Sequence, residues 1–438
     1  MERRAETKGN ASQQSTRRAQ DRESLSQALD RVRQAARQRK KERFTALLHP
    51  VSLDLLRQAF LALKRDAAPG VDGLTWWDYE ADLEPRLADR HDRVHRGTYR
   101  AQPSRRRDIP KPEGRQRPLA VAALEDKIVQ KAVLAVLNAI YEEDFLGFSY
   151  GFRPKRSPHD ALDALVVGIS STKVNWIWDA DIRSFFDAVD QTWLVRFLEH
   201  RIGDKRILRL IRKWLKAGVL EDGAVTVGEL GTGQGAVISP LLANVYLHYV
   251  IDLWAERWRR REAKGDMIIV RYADDLVVGF EHETDARRFW EAMRERLQEF
   301  ALTLHPEKTR LIAFGRHAAV RRAQRGLGKP ETFDFLGFTV ICGQSRRGKF
   351  LLKRKSRRDR MRAKLRDVKE QLRRGCTSPS PNKGNGCGRS SSVSSPTMPC
   401  RPMLAHSRPS DTTSPNCGGA RFGGAARRTT RRGSGSRG

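Results

Sequence analysis

Two adjacent acids stand inside an apolar stretch, Met267-Ile268-Ile269-Val270-Arg271-Tyr272-Ala273-Asp274-Asp275-Leu276-Val277-Val278-Gly279-Phe280. Runs rich in Ile and Val flank Tyr272-Ala273-Asp274-Asp275, the pattern of a β-hairpin with carboxylates at its tip. Acids are costly there, because like charges repel and apolar surroundings disfavour both charged forms. A divalent metal resolves that conflict. Neighbouring strand side chains point to opposite faces, so one acid can ligate a metal pair while the other orients or neutralises. An ordinary hairpin with acidic turn residues fits these four residues equally well. The rest of the chain decides.

A second apolar run, Trp176-Ile177-Trp178-Asp179-Ala180-Asp181, reads as a strand ending in an acid, followed by Ile182-Arg183-Ser184-Phe185-Phe186-Asp187. Taken alone, Asp181 could simply cap the next helix. Gly231-Thr232-Gly233-Gln234-Gly235 leads into a helix at Ser239-Pro240. It lacks both the Lys-Ser/Thr ending of a P-loop and the G-x-G-x-x-G spacing, which excludes both nucleotide-binding folds. Upstream, Arg105-Arg106-Arg107-Asp108-Ile109-Pro110-Lys111-Pro112, with Arg115 and Arg117, reads as a short strand pair whose inward face carries several cations. Such a hairpin could grip a triphosphate or be a solvated basic loop.

Around these lie the positioning elements. Leu25 to Ala36 has helical spacing and ends in the basic run Arg37 to Lys41. Further helices are expected over Asp126 to Asn138, Lys205 to Lys216, Asp285 to Phe300 and, strongly basic, Lys353 to Arg374. Ala68 to Gly73 and His305 to Thr309 read as turns, Ser149 to Pro154 as a basic, aromatic loop, and Phe335-Leu336-Gly337-Phe338 as an apolar hairpin. At 438 residues, about two to four domains are expected. The net charge of +32 favours polyanions, since Lys and Arg contacts to phosphates dominate nucleic-acid affinity. No run spans a bilayer, Met1 to Asn10 has no secretory h-region, and five cysteines form neither a C-x-x-C pair nor a zinc-finger spacing.

Taken in order, these pieces resemble the reverse transcriptase/maturase encoded by bacterial group II introns, over roughly Phe44 to Leu372. The resemblance joins Gly70-Val71-Asp72-Gly73, Ile109-Pro110-Lys111-Pro112, Gly151-Phe152-Arg153-Pro154, Asp181 with Phe185-Phe186-Asp187, Gln234-Gly235, Ser239-Pro240-Leu241-Leu242-Ala243-Asn244, Tyr272-Ala273-Asp274-Asp275 and Phe335-Leu336-Gly337-Phe338. Gly233 departs from it, standing where the family usually has Pro. The resemblance implies an α+β right-hand polymerase with an antiparallel palm sheet: a basic extension over residues 1–43, fingers and palm over 44–345, and the start of a thumb over 346–374. It implies RNA-directed DNA synthesis with Mg²⁺, on an RNA template with a DNA primer and dNTPs. Intron RNA is a further implied partner, no membrane is, and the setting is a bacterial cytoplasm at the nucleoid. Asp181 and Asp274 are the implied bridging metal ligands and Asp275 a supporting acid. Arg105, Lys111 and Arg117 would hold the triphosphate, and Phe185, with Phe186 as alternative, would pack on the deoxyribose. Gln234 would touch the incoming nucleotide or templating pair, and Lys308 would protonate pyrophosphate. Two other readings compete, an RNA-binding maturase that needs no polymerisation and a reverse transcriptase of a retron or defence system.

From Gly375 the composition turns to Ser, Pro, Gly, Thr and Arg with one acid, Asp411. Read one base earlier, Pro381-Asn382-Lys383-Gly384-Asn385-Gly386 is compatible with Pro-Glu-Gln-Gly-Lys-Trp. Likewise Thr397-Met398-Pro399-Cys400-Arg401-Pro402-Met403 is compatible with Tyr-His-Ala-Val-Pro-Thr-Asn. Both resemble the family's thumb motifs in the right order. Residues 375–438 are therefore expected to be an out-of-frame, disordered tail that replaces most of the thumb.

Overall fold

The computed structural model describes residues 26–110, 116–221 and 223–376, without the side chains of Pro110, Arg117 and residues 374–376. The chain divides into two units, Met1–Asp367 and Val368–Gly438. Of the second, only the end of one helix is described, so the expected tail lies outside the described residues.

The described strands, in chain order, are β1 (Ser104–Pro110), β2 (Gln116–Val121), β3 (Trp176–Ala180), β4 (Val219–Glu221), β5 (Ala224–Thr226), β6 (Met267–Tyr272), β7 (Asp275–Phe280), β8 (Arg310–Ala313), β9 (Phe333–Phe335), β10 (Phe338–Gln344) and β11 (Phe350–Ser356). They form three sheets, ordered β2-β1-β4-β5, β6-β7-β3-β8 and β11-β10-β9. The second sheet is antiparallel throughout and covered on both faces. Alternation along β3 sends Ile177 into a cluster with Leu162, Val270, Val277 and Ile312, and Trp178 into the main core with Leu276, Val278 and Phe289. Burial on both sides explains why its strands read as near-continuous apolar runs.

A helix closes each face. Pro158–Ser171 starts at a capping box, Ser157 with Asp160, and has Pro at its first turn. On the other face Glu283–Gln298 buries Phe289, Met293 and Leu297 at four-residue spacing, and the Phe289 ring meets Trp178 edge-on at 5.4 Å. Each such burial stabilises by about 1.5–3 kcal/mol.

Two expected helices differ in extent. The one expected over Asp126 to Asn138 runs Leu124–Asp144, because Ala139, Ile140 and Tyr141 continue its buried face. The basic helix begins only at Arg358 and runs to Cys376. Lys353 to Ser356 instead complete β11, where pairing with β10 buries Leu352, and tertiary contact overrides the helix propensity of Lys and Arg. The expected Phe335–Phe338 hairpin is present. Leu336 and Gly337 both take positive φ (50° and 85°), as a tight two-residue turn requires.

Candidate active site

The β6–β7 hairpin closes with Tyr272 opposite Asp275, leaving Ala273 and Asp274 as its turn. Ala273 takes φ 56°, the left-handed conformation that such a turn demands. On the other side of β7, β3 pairs Asp179 with Val277 and Ala180 with Leu276. Carried one residue further, that register sets Asp181 beside Asp275. Two sequence-distant apolar runs thus bring their terminal acids to one edge of the sheet. Asp181 caps no helix, since the next one, Phe185–Ala188, has Ser184 at its N-cap. Lys308 reaches the same place, its Nζ donating to Asp181 Oδ2 at 2.6 Å.

The acids disturb one another. Withdrawal from solvent, then the charges of Asp274, Asp181 and Asp179, push Asp275 up to about 7, with Lys308 opposing. Asp275 nonetheless keeps surface open to solvent. Asp179 escaped the sequence reasoning. Burial pushes it up to about 6 against the nearby Arg310, while Asp334 and Asp181 raise it further. Its signal was the two-residue spacing from Asp181, which puts both on one strand face. Among the described residues, no group of three or more His, Cys, Asp or Glu is gathered tightly enough to hold a metal ion. The donor set is still one that suits a hard divalent cation, oxygen only and mutually repelling.

A cavity of about 340 Å³, whose lining includes none of these acids, is bordered by Arg106, Ala120, Phe186, Gln191, Gln234 and Leu242, among others. The glycine-rich turn forms one wall by lying flat on β2, where Ala120 N donates to Gln234 O at 2.5 Å. Gly235 takes φ 113°, and a Cβ there would stand 2.7 Å from the Ala120 carbonyl oxygen, so only glycine fits. At Gly233 a Cβ would meet Ala120 at an ordinary 3.5 Å, so nothing in the packing demands glycine in place of the family's Pro.

The two phenylalanines part company. Phe185 is only 2% exposed and packs in the main core against Tyr246, whereas Phe186 is half-buried and lines the cavity. The finger cations also sort by register. The β1–β2 face over the cavity carries Ser104, Arg106, Pro118 and Ala120, with Arg106 paired to Glu221 at 2.7 Å. Arg105, exposed as Arg106 is, stands on the other face of the register and lines a second concavity with Val71, Leu220 and Arg106 itself. Lys111 lies outside the described residues, and Arg117 is described only as a β2 backbone position opposite Ile109. In the loop before the site, Arg153 is committed to protein, its Nη1 donating to the Leu146 and Ser149 carbonyls and its other nitrogens to Glu142. Phe152 stays half exposed, at φ 57°.

An antiparallel α+β palm with acids at a hairpin tip and at the end of the neighbouring strand defines a right-hand polymerase. The chain belongs to the reverse transcriptase (RNA-dependent DNA polymerase) family, whose model matches residues 109–340. It is 37% identical over 209 residues to protein YkfC of Escherichia coli K12, covering 47% of this chain and 55% of that one. It is 41% identical over 153 residues to the group II intron-encoded protein LtrA of Lactococcus lactis subsp. cremoris, covering 35% and 25%. To the putative COX1/OXI3 intron 1 protein of Saccharomyces cerevisiae it is 25% identical over 369 residues, covering 73% and 43%. The matches thus span about half or less of the length of these relatives. Reverse transcriptases generally use a divalent metal. No helix among the described residues is long and apolar enough to cross a membrane.

Proposed function

We propose that this protein is the RNA-directed DNA polymerase of a group II intron, extending a DNA primer on an RNA template with dNTPs. The observation that carries this reading is the β3–β7 register, which sets Asp181 beside Asp275 and the Asp274 turn. Asp181, Asp274 and Asp275 would hold Mg²⁺. When bound, the metal supplies activation of the primer 3′-hydroxyl and neutralisation of the triphosphate and leaving pyrophosphate.

The chain's own residues do the rest. Phe186 would pack against the deoxyribose and deny space to a 2′-hydroxyl, while Gln234 would border the nascent pair. Arg105, Lys111 and Arg117 would hold the triphosphate, the β1–β2 register setting Arg105 and Arg117 on one face of the hairpin, while Arg106 would border the cavity from the other. Lys308, bonded to Asp181, would give a proton to the departing pyrophosphate. Fingers and palm would occupy 44–345 and the start of the thumb 346–374. Residues 375–438 would be an out-of-frame replacement for the rest, with low processivity and weak splicing help as the consequence. The cations of the basic helix would serve intron RNA binding through phosphate contacts.

Primer extension on RNA tests this reading. Synthesis should require Mg²⁺, stop on chelation, and vanish in Asp274→Ala while RNA binding persists. Undiminished extension by that variant would contradict the assignment.

A further inference from the structure

We propose that Arg271 is a positioning residue for the acid-bearing turn, and that the π-helical turn His248–Asp252 is what braces it. The inference rests on the function proposed above, since it concerns how the acids of that reaction are held.

Arg271 stands in β6 with no solvent exposure. Its guanidinium is committed on every nitrogen. Nε and Nη2 donate to the two Asp252 oxygens, both at 2.7 Å, and Nη2 also donates to Ser149 Oγ at 2.7 Å. Nη1 donates to Asn244 Oδ1 at 3.1 Å and to the Ala273 carbonyl at 2.9 Å. That last bond fixes the peptide plane between Ala273 and Asp274, the left-handed turn from which the Asp274 side chain departs. The same network reaches the adjoining loop. Asn244 Nδ2 donates to the Gly151 carbonyl at 2.7 Å, and a Cβ on Gly151 would stand 2.2 Å from Ala273 N. One side chain therefore ties the turn, the Gly151 loop and the helix behind them together.

The helix explains how two of its residues reach one guanidinium. Asn244 and Asp252 are eight residues apart, and at 3.6 residues per turn that separation would rotate them about 80° from each other. The run from Ser239 to Arg261 is α-helical at both ends and π-helical over His248–Asp252. A π-turn absorbs one extra residue, so the eight-residue separation behaves like seven and both side chains share a face. Stability alone gives little reason for the arrangement. A buried ion pair gains little over apolar packing, because desolvation offsets the attraction, but its fork geometry is specific.

Arg271→Lys keeps the charge and removes the fork. The expected result is faster amide hydrogen exchange confined to 148–151 and 271–276. Deoxynucleotide addition should also show a kcat per folded molecule lower by on the order of 10- to 100-fold, with KM and RNA affinity unchanged. The exchange readout needs no catalysis. A wild-type protein that makes no DNA would thus count against the proposed function, while exchange still judged the turn. Unchanged exchange there, or unchanged kcat per folded molecule in an active background, would overturn the inference. Should Arg271→Lys fail to fold, Ser149→Ala removes a single acceptor, and the same two changes are expected from it at smaller size. Their absence in that variant would overturn the inference equally.

Discussion

The β6–β7 and β1–β2 hairpins both carry charged groups of the site, yet one is buried on both faces and the other is exposed along most of β1. In the palm, Val270 and Val277 face one core cluster and Ile269, Leu276 and Val278 the other, so the acids sit on a scaffold that close packing over-determines. In the fingers, Arg105, Arg106 and Arg107 stand on a strand with water on it, and an ion pair such as Arg106 with Glu221 contributes little to stability. Groups that must meet to within a fraction of an ångström are placed by the core. The cations proposed to grip a flexible triphosphate stand on an exposed strand.

The sharpest break of that comparison is in stability. Phe289→Ala should cost about 3–5 kcal/mol through the cavity left under β3 and β7. Ile109→Ala on the finger hairpin, already 48% exposed, should stay within about 0.5 kcal/mol. Denaturant midpoints check both, and equal costs would erase the distinction. The adjacent phenylalanines repeat the contrast within two residues. Phe185→Ala should act as a core deletion of a few kcal/mol. Phe186→Ala should fold normally and admit ribonucleotides, as competition between dNTP and rNTP incorporation would reveal. Smaller still, Arg105→Ala should raise the KM for dNTP with melting temperature unchanged, because a lost charge-assisted hydrogen bond is worth about 1.5–3 kcal/mol of binding. Arg106→Ala should do less, and the reverse ranking would move the triphosphate to the cavity-facing side of the hairpin.

The parts legible in the sequence are those written in local pattern. Ile- and Val-rich runs around Tyr272 to Asp275 announced the hairpin, and Trp176 to Ala180 announced the strand that ends at Asp181. The glycines before Ser239 announced a turn, though only β2 lying against Gly235 explains why glycine is needed. What escaped depends on pairing between distant segments. Arg106 rather than Arg105 faces the cavity because of the β1–β2 register, which a run of three arginines cannot disclose. Phe185 and Phe186 have the same chemistry and differ only in which meets Tyr246. Lys353 to Ser356 carry helix-forming cations but are recruited as a strand by β10. The π-turn left no trace at all, since Asn244 and Asp252 acquire meaning only through Arg271.

The central claim is that Asp181 and the Asp274 turn, joined by the β3–β7 register, form one metal-holding site. Its most direct test is single-nucleotide addition to a primed RNA template by Asp181→Asn, which keeps the side chain's shape and removes its charge. The account predicts loss of addition at every Mg²⁺ concentration, with unchanged RNA affinity and an intact fold. Addition at the wild-type rate in that variant would contradict it.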